Sequence, residues 1–147
     1  MTASTDRKDV ERLKRLLKDE MSAVETYDKA ISSVKPDAIK AELSELKTAH
    51  ESRVQKLQAK ITELGGELPV NSGLWGKFAK LVEAGAAALG DKAIVATLEE
   101  CEVKSLADYK SDLEVFDEAE HKLVFSELLP AQQESYERIL KLHKSMH

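Results

Sequence analysis

Apolar residues recur along this chain at alternating intervals of three and four, in four separate stretches. The first holds Val10, Leu13, Leu17, Val24, Tyr27, Ile31 and Val34, and the second Leu43, Leu46, Leu57, Ile61 and Leu64. The third holds Val95, Leu98, Leu106, Tyr109, Leu113 and Phe116, and the fourth Leu129, Tyr136, Ile139 and Met146. Such spacing gathers each set on one face of a helix, the face that a globular protein buries. Local punctuation then sets the helix ends. Thr5 or Asp6 is an N-cap type for a first helix that stops before Lys35-Pro36. Pro36 with Asp37 opens a second helix, which Gly65-Gly66 ends. Residues 67–73 read as loop, and Leu74 to Leu89 as a shorter amphipathic helix carrying Trp75, Phe78, Leu81 and Val82. Gly90 closes that segment, and Asp91 caps a third long helix that reaches about Phe116. Pro130 opens the fourth, which runs close to His147. Residues 117–126 fit either a turn with a short helix or a continuation of helix.

Connection lengths order these helices. The first and second are joined by a few residues, which makes them antiparallel neighbours. The second and third are separated by Gly65 to Gly90, far more than the ~2–8 residues usual between bundle helices. A segment of that length can travel back along the bundle and leave the second and third helices parallel. The expectation is one all-α domain over residues 1–147, a four-helix bundle with a fifth helix in the crossover.

Each stripe is interrupted once by a residue able to bind a metal: Glu20, His50, Glu102 and His143 in turn. A carboxylate on a buried face is costly unless it is paired, hydrogen-bonded or metal-bound. Glu20 lies 16 residues before Pro36 and His50 14 after it, so at ~1.5 Å rise per residue the two are nearly level. A last turn centred near residue 122 or 123 makes Glu102 and His143 level as well. A weak internal repeat joins the halves, because Glu20 and Tyr27, like Glu102 and Tyr109, stand seven residues apart. Tyr136 precedes His143 by the same interval. These tyrosines are either donors to the carboxylates or core packing. The four polar residues allow two readings. In one they hold a single Fe, Mn or Zn ion, with Glu99 or Glu51 in reserve. In the other they are two metal-free Glu–His pairs that fix helix register.

The run Leu17 to Tyr27, with Glu20, Ala23 and Tyr27, resembles the first helix of ferritin-like proteins, including bacterioferritins and rubrerythrins. The run Ile94 to Tyr109, with Leu98-Glu99-Glu100-Cys101-Glu102, together with Leu129-Pro130 and His143, is similar to a bacterial ferritin-like family of unknown function. The resemblance covers almost the whole chain and implies a ferritin-like four-helix bundle. By position it makes Glu20, His50, Glu102 and His143 four of the six ligands of a ferritin-like di-iron site. Two departures stand against di-iron chemistry. Bundles of that kind carry Glu-x-x-His on their second and fourth helices, whereas Lys47 precedes His50 and Leu140 precedes His143 by three residues. Glu118-Ala119-Glu120-His121 has the right spacing, but it falls too close to Glu102 to face it and reads as a surface turn.

Composition narrows the field. Charged residues are 33% of the 147 and aromatics only 5%, as expected of long helices rather than sheets. A net charge of −5 without a free Lys/Arg cluster argues against nucleic acid. No run approaches the ~18 apolar residues of a membrane span, and the polar start lacks a signal-peptide core. The single Cys101 excludes an intrachain disulfide, suits a reducing cytoplasm, and reads as a packed thiol. His121 and His147 are expected in solvent. No phosphate loop or Ser/His/Asp arrangement supports nucleotide binding or nucleophilic catalysis. The alternative to a metal protein is a helical interaction or stress-related protein, docking a partner, a second copy or a membrane surface through Leu74 to Leu89; the ordinary reading of that segment is a crossover helix that covers the bundle.

Overall fold

The structure, a computed structural model, describes residues 3–116 and 118–147. Among them there are helices and loops but no strand. Two long helices, α1 (Ala3–Ser33) and α2 (Asp37–Glu63), form a first hairpin. A crossover follows with two short helices, α3 (Gly76–Glu83) and α4 (Ala86–Leu89). The second hairpin pairs α5 (Asp91–Leu113) with α7 (Leu129–Ser145), through α6 (Glu118–Leu123) and a π-helical segment, Val124–Leu128. Cross-helix bonds give the directions. Tyr27 reaches Glu102 and Tyr109 reaches Glu20, so α1 and α5 are antiparallel. Since α1 and α2 are antiparallel too, α2 and α5 run the same way, as the long crossover predicts.

Boundaries differ from the sequence expectation where local chemistry decides them. Helix α1 begins at Ala3, before the expected caps. Helix α2 ends at Glu63, where Gly65 turns left-handed at φ 78° and the Gly66 N–H reaches the Ile61 carbonyl. A Cβ at Gly66 would lie 2.7 Å from Val10 Cγ1, so the end of the hairpin packs only around a glycine. The single helix expected from Leu74 to Leu89 is two, because Gly85 breaks it at φ 93°. Gly90, not Asp91, takes the N-cap of α5. Asp91 instead accepts a bond from the Lys35 N–H at 3.1 Å, pinning α5 to the α1–α2 turn.

The stretch between α5 and α7 is helical from Glu118 onward, so the turn expected at Glu118–His121 is a correction; residue 117 lies outside the described residues. The π-helical widening ends next to Pro130, which sits in the first turn of α7. Pro130 has no N–H to offer the Ser126 carbonyl, and its ring crowds that carbonyl, so the backbone there follows a wider path.

The core lies in two apolar clusters. One gathers Ala23, Tyr27, Ala30, Leu43, Leu46, Ile94, Leu98 and Ile139 at the α1–α2 turn end, and Trp75 and Phe78 from the crossover close it. The other gathers Leu13, Leu17, Leu57, Ile61, Tyr109, Phe116, Val124 and Leu128 at the opposite end. Trp75 and Phe78 are buried in this core, as expected of a crossover segment that covers the bundle, and their apolar sides are not free to dock a partner. No helix among the described residues is long and apolar enough to cross a membrane.

Candidate functional site

Between the two apolar clusters each long helix contributes polar side chains, and these meet. Glu20 comes from α1, His50 and Arg53 from α2, Glu102 from α5 and Gln132 from α7, and none is more than 2% exposed. The helical repeat accounts for this placement. Leu43, Leu46, His50, Arg53, Leu57 and Ile61 are the buried residues of α2, so His50 and Arg53 take steps of the same three-four stripe as the leucines.

His50 stands at the centre. Its Nδ1–H donates to Glu20 Oε1 in a very short contact, and its Nε2–H donates to Glu102 Oε2 at 2.9 Å. Arg53 donates from Nε to Glu20 Oε2 at 2.6 Å and from Nη2 to Gln132 Oε1 at 2.9 Å. Gln132 in turn donates from Nε2 to Glu102 Oε1 at 2.9 Å and to the Glu102 carbonyl at 3.1 Å. The two tyrosines of the internal repeat cross over. Tyr27 donates to Glu102 at 2.6 Å and Tyr109 to Glu20 at 2.5 Å, each to the carboxylate of the other half. Trp75 closes one side, its ring 5.6 Å from that of His50 and edge-on to it.

Electrostatics follow from this geometry. Burial alone would raise both carboxylic acids, but the opposing charges win. Arg53 and His50 hold Glu20 down to about 2. Glu102 is lowered by His50 and by the bonds from His50, Tyr27 and Gln132. Burial would likewise make His50 easier to deprotonate, yet Glu102 and Glu20 on its two sides push it up to about 9. With both ring nitrogens facing carboxylate oxygens, His50 is an imidazolium at neutral pH. Two negative charges then meet two positive ones, and the buried set is neutral.

Of the residues singled out from the sequence, Glu20, His50 and Glu102 come together. His143 does not. It lies half-buried on the flank of α7, with Nδ1 3.1 Å from Glu99 Oε1. The turn expected near residue 122 or 123 comes earlier, since α5 ends at Leu113 and α6 begins at Glu118, so Gln132 and not His143 is level with Glu102; the register of the last helix does the rest. Leu128, Gln132, Ser135 and Ile139 point inward, one step off the Leu129–Tyr136–His143 line, and the polar Gln132 and Ser135 hide the true stripe. Glu51 is exposed, and Cys101 is a buried free thiol that burial pushes up to about 12. His121 and His147 are exposed, as expected. Sequence reasoning missed Arg53 and Gln132. A signal for Gln132 existed, since it follows Glu102 by 30 residues as His50 follows Glu20.

As these side chains stand they do not fit a bound metal. Both His50 nitrogens are engaged, the two carboxylates lie on opposite sides of the ring, and a guanidinium fills the space beside it. Among the described residues no three His, Cys, Asp or Glu side chains converge as a ligand set. A small cavity of about 150 Å³ between α2 and α7 is lined by Arg53 but not by Glu20, His50 or Glu102.

The sequence matches, over residues 8–115, the family described as a domain of unknown function, DUF2383, and the chain belongs to it. The match contains Glu20, Tyr27, His50, Arg53, Glu102 and Tyr109 and stops short of Gln132. Comparison with curated proteins and with solved structures finds no match.

Proposed function

We propose that this DUF2383 member is a metal-free helical module of ferritin-like architecture, an interaction or stress-related protein without chemistry of its own. Its polar core acts as a lock that holds two helical hairpins in register. The observation that carries this reading is Arg53. A buried guanidinium bonded to Glu20 and Gln132 supplies one of the two cationic charges that the carboxylates need, and His50 supplies the other. Both His50 nitrogens and both carboxylates are already engaged by one another and by Arg53, which supports the metal-free reading of this core.

Such a network contributes specificity more than net stability. Desolvating four charges costs about as much as their attraction returns, but removing a single member strands its partners and costs about 3–5 kcal/mol. A helix slipped by one turn would strand them all at once. The test is elemental analysis of untagged protein together with anaerobic Fe(II), Mn(II) and Zn(II) titration by calorimetry. The expected result is no stoichiometric uptake at micromolar protein. One equivalent bound, and lost in Glu102→Ala, would overturn the reading and establish a metal protein.

A further inference from the structure

We infer that the Arg53 guanidinium stands in the place of a divalent cation, and that shortening Arg53 turns this core into a metal site. The inference rests on the metal-free reading of the native protein. Three atoms wall the guanidinium: Glu20 Oε2 lies 2.6 Å from Nε, and Gln132 Oε1 and His50 Nδ1 lie 2.9 and 2.8 Å from Nη2. A carboxylate oxygen, an amide oxygen and an imidazole nitrogen are each ligands that divalent first-row metals accept. The guanidinium is also imperfectly served, because its Nη1 is buried without an acceptor. Its Nη2 also lies 2.8 Å from His50 Nδ1, a nitrogen already bonded to Glu20.

Charge balance gives the exchange its stoichiometry. Arg53 and the proton shared by His50 together neutralise Glu20 and Glu102. One divalent ion carries the same two charges. Once Arg53 is replaced by a neutral residue, metal entry frees a His50 nitrogen for coordination and expels one proton, and the core is neutral again. The internal repeat shows which neutral residue to use. Counting the 82 residues from Glu20 to Glu102, His50 corresponds to Gln132 and Arg53 to Ser135. Ser135 is buried, so the bundle already accepts serine at the matching place in its other half.

The experiment compares wild type, Arg53→Ser, and Arg53→Ser with Glu20→Gln, using Co(II) absorption and Zn(II) calorimetry in two buffers of different ionisation heat. Arg53→Ser is expected to bind one equivalent at least about 100-fold more tightly than wild type, with about one proton released and a thermal midpoint that rises with metal. Adding Glu20→Gln should abolish the uptake. If Arg53→Ser is unfolded without metal, Zn(II) is expected to restore its helical circular dichroism. A folded Arg53→Ser that takes up no metal, or an unfolded one that Zn(II) fails to rescue, overturns the inference while the metal-free reading of the native protein stands. Uptake by wild type itself instead contradicts that reading.

Discussion

Tyr27 and Tyr109 are the clearest case of one residue type whose role only the fold reveals. Their spacing from Glu20 and Glu102 is plain in the sequence, and it leaves open whether they donate to the carboxylates or only pack in the core. The structure crosses them, Tyr27 to Glu102 and Tyr109 to Glu20, because residues two turns apart on one helix are ~10 Å apart along it. Each hydroxyl donates to a buried charge, so Tyr27→Phe and Tyr109→Phe should each cost about 1.5–3 kcal/mol in urea denaturation. A loss near zero would mean the hydroxyl is not bonded to the carboxylate. Arg53 was hidden for a chemical reason. Arginine in a helix reads by default as a solvated side chain, and only the partners supplied by α1 and α7 make its burial tolerable. His143 misled for the converse reason: its type suits a metal, but its register places it on the flank with Glu99.

Among elements, the four long helices and the parallel direction of α2 and α5 were legible, because apolar periodicity and connection length depend on few residues at a time. What stayed hidden depends on backbone detail. The π-helical segment before Pro130 lets α6 run into α7 without a turn, and no apolar count marks such a widening. The break at Gly85 is similar, since a glycine within an amphipathic run is read as tolerated until its φ of 93° is seen. At the end of α2 the glycine pair was read correctly, and its conformation sets a cost. Gly65 has open space for a Cβ but a φ of 78°, so Gly65→Ala should lose about 1–2 kcal/mol through backbone strain alone. Chemical denaturation measures this, and an unchanged midpoint would show that the turn relaxes.

For the whole molecule, the division of one bundle core into two apolar clusters by a neutral ionic layer links stability to pH. The sign differs from group to group. His50 has its folded value raised from 6.5 to about 9, so its stabilisation is complete below 6.5 and is lost as pH rises to about 9. Glu20 is lowered from 4.5 to about 2, so its stabilisation is complete above 4.5 and is lost as pH falls toward 2. Asp19, held up to about 6 by burial and by Asp108, opposes this weakly, since its ionisation costs stability as pH rises from 3.8 to 6. At the middle of this layer His50 is a cation locked between two carboxylates. The most direct test is a long-range ¹H–¹⁵N NMR titration of the His50 ring from pH 5 to 10. Both ring nitrogens are expected to be protonated at pH 7, with loss of a proton near pH 9. A neutral ring at pH 7, with one nitrogen free of hydrogen, would contradict the ionic lock and return His50 to the list of available metal ligands.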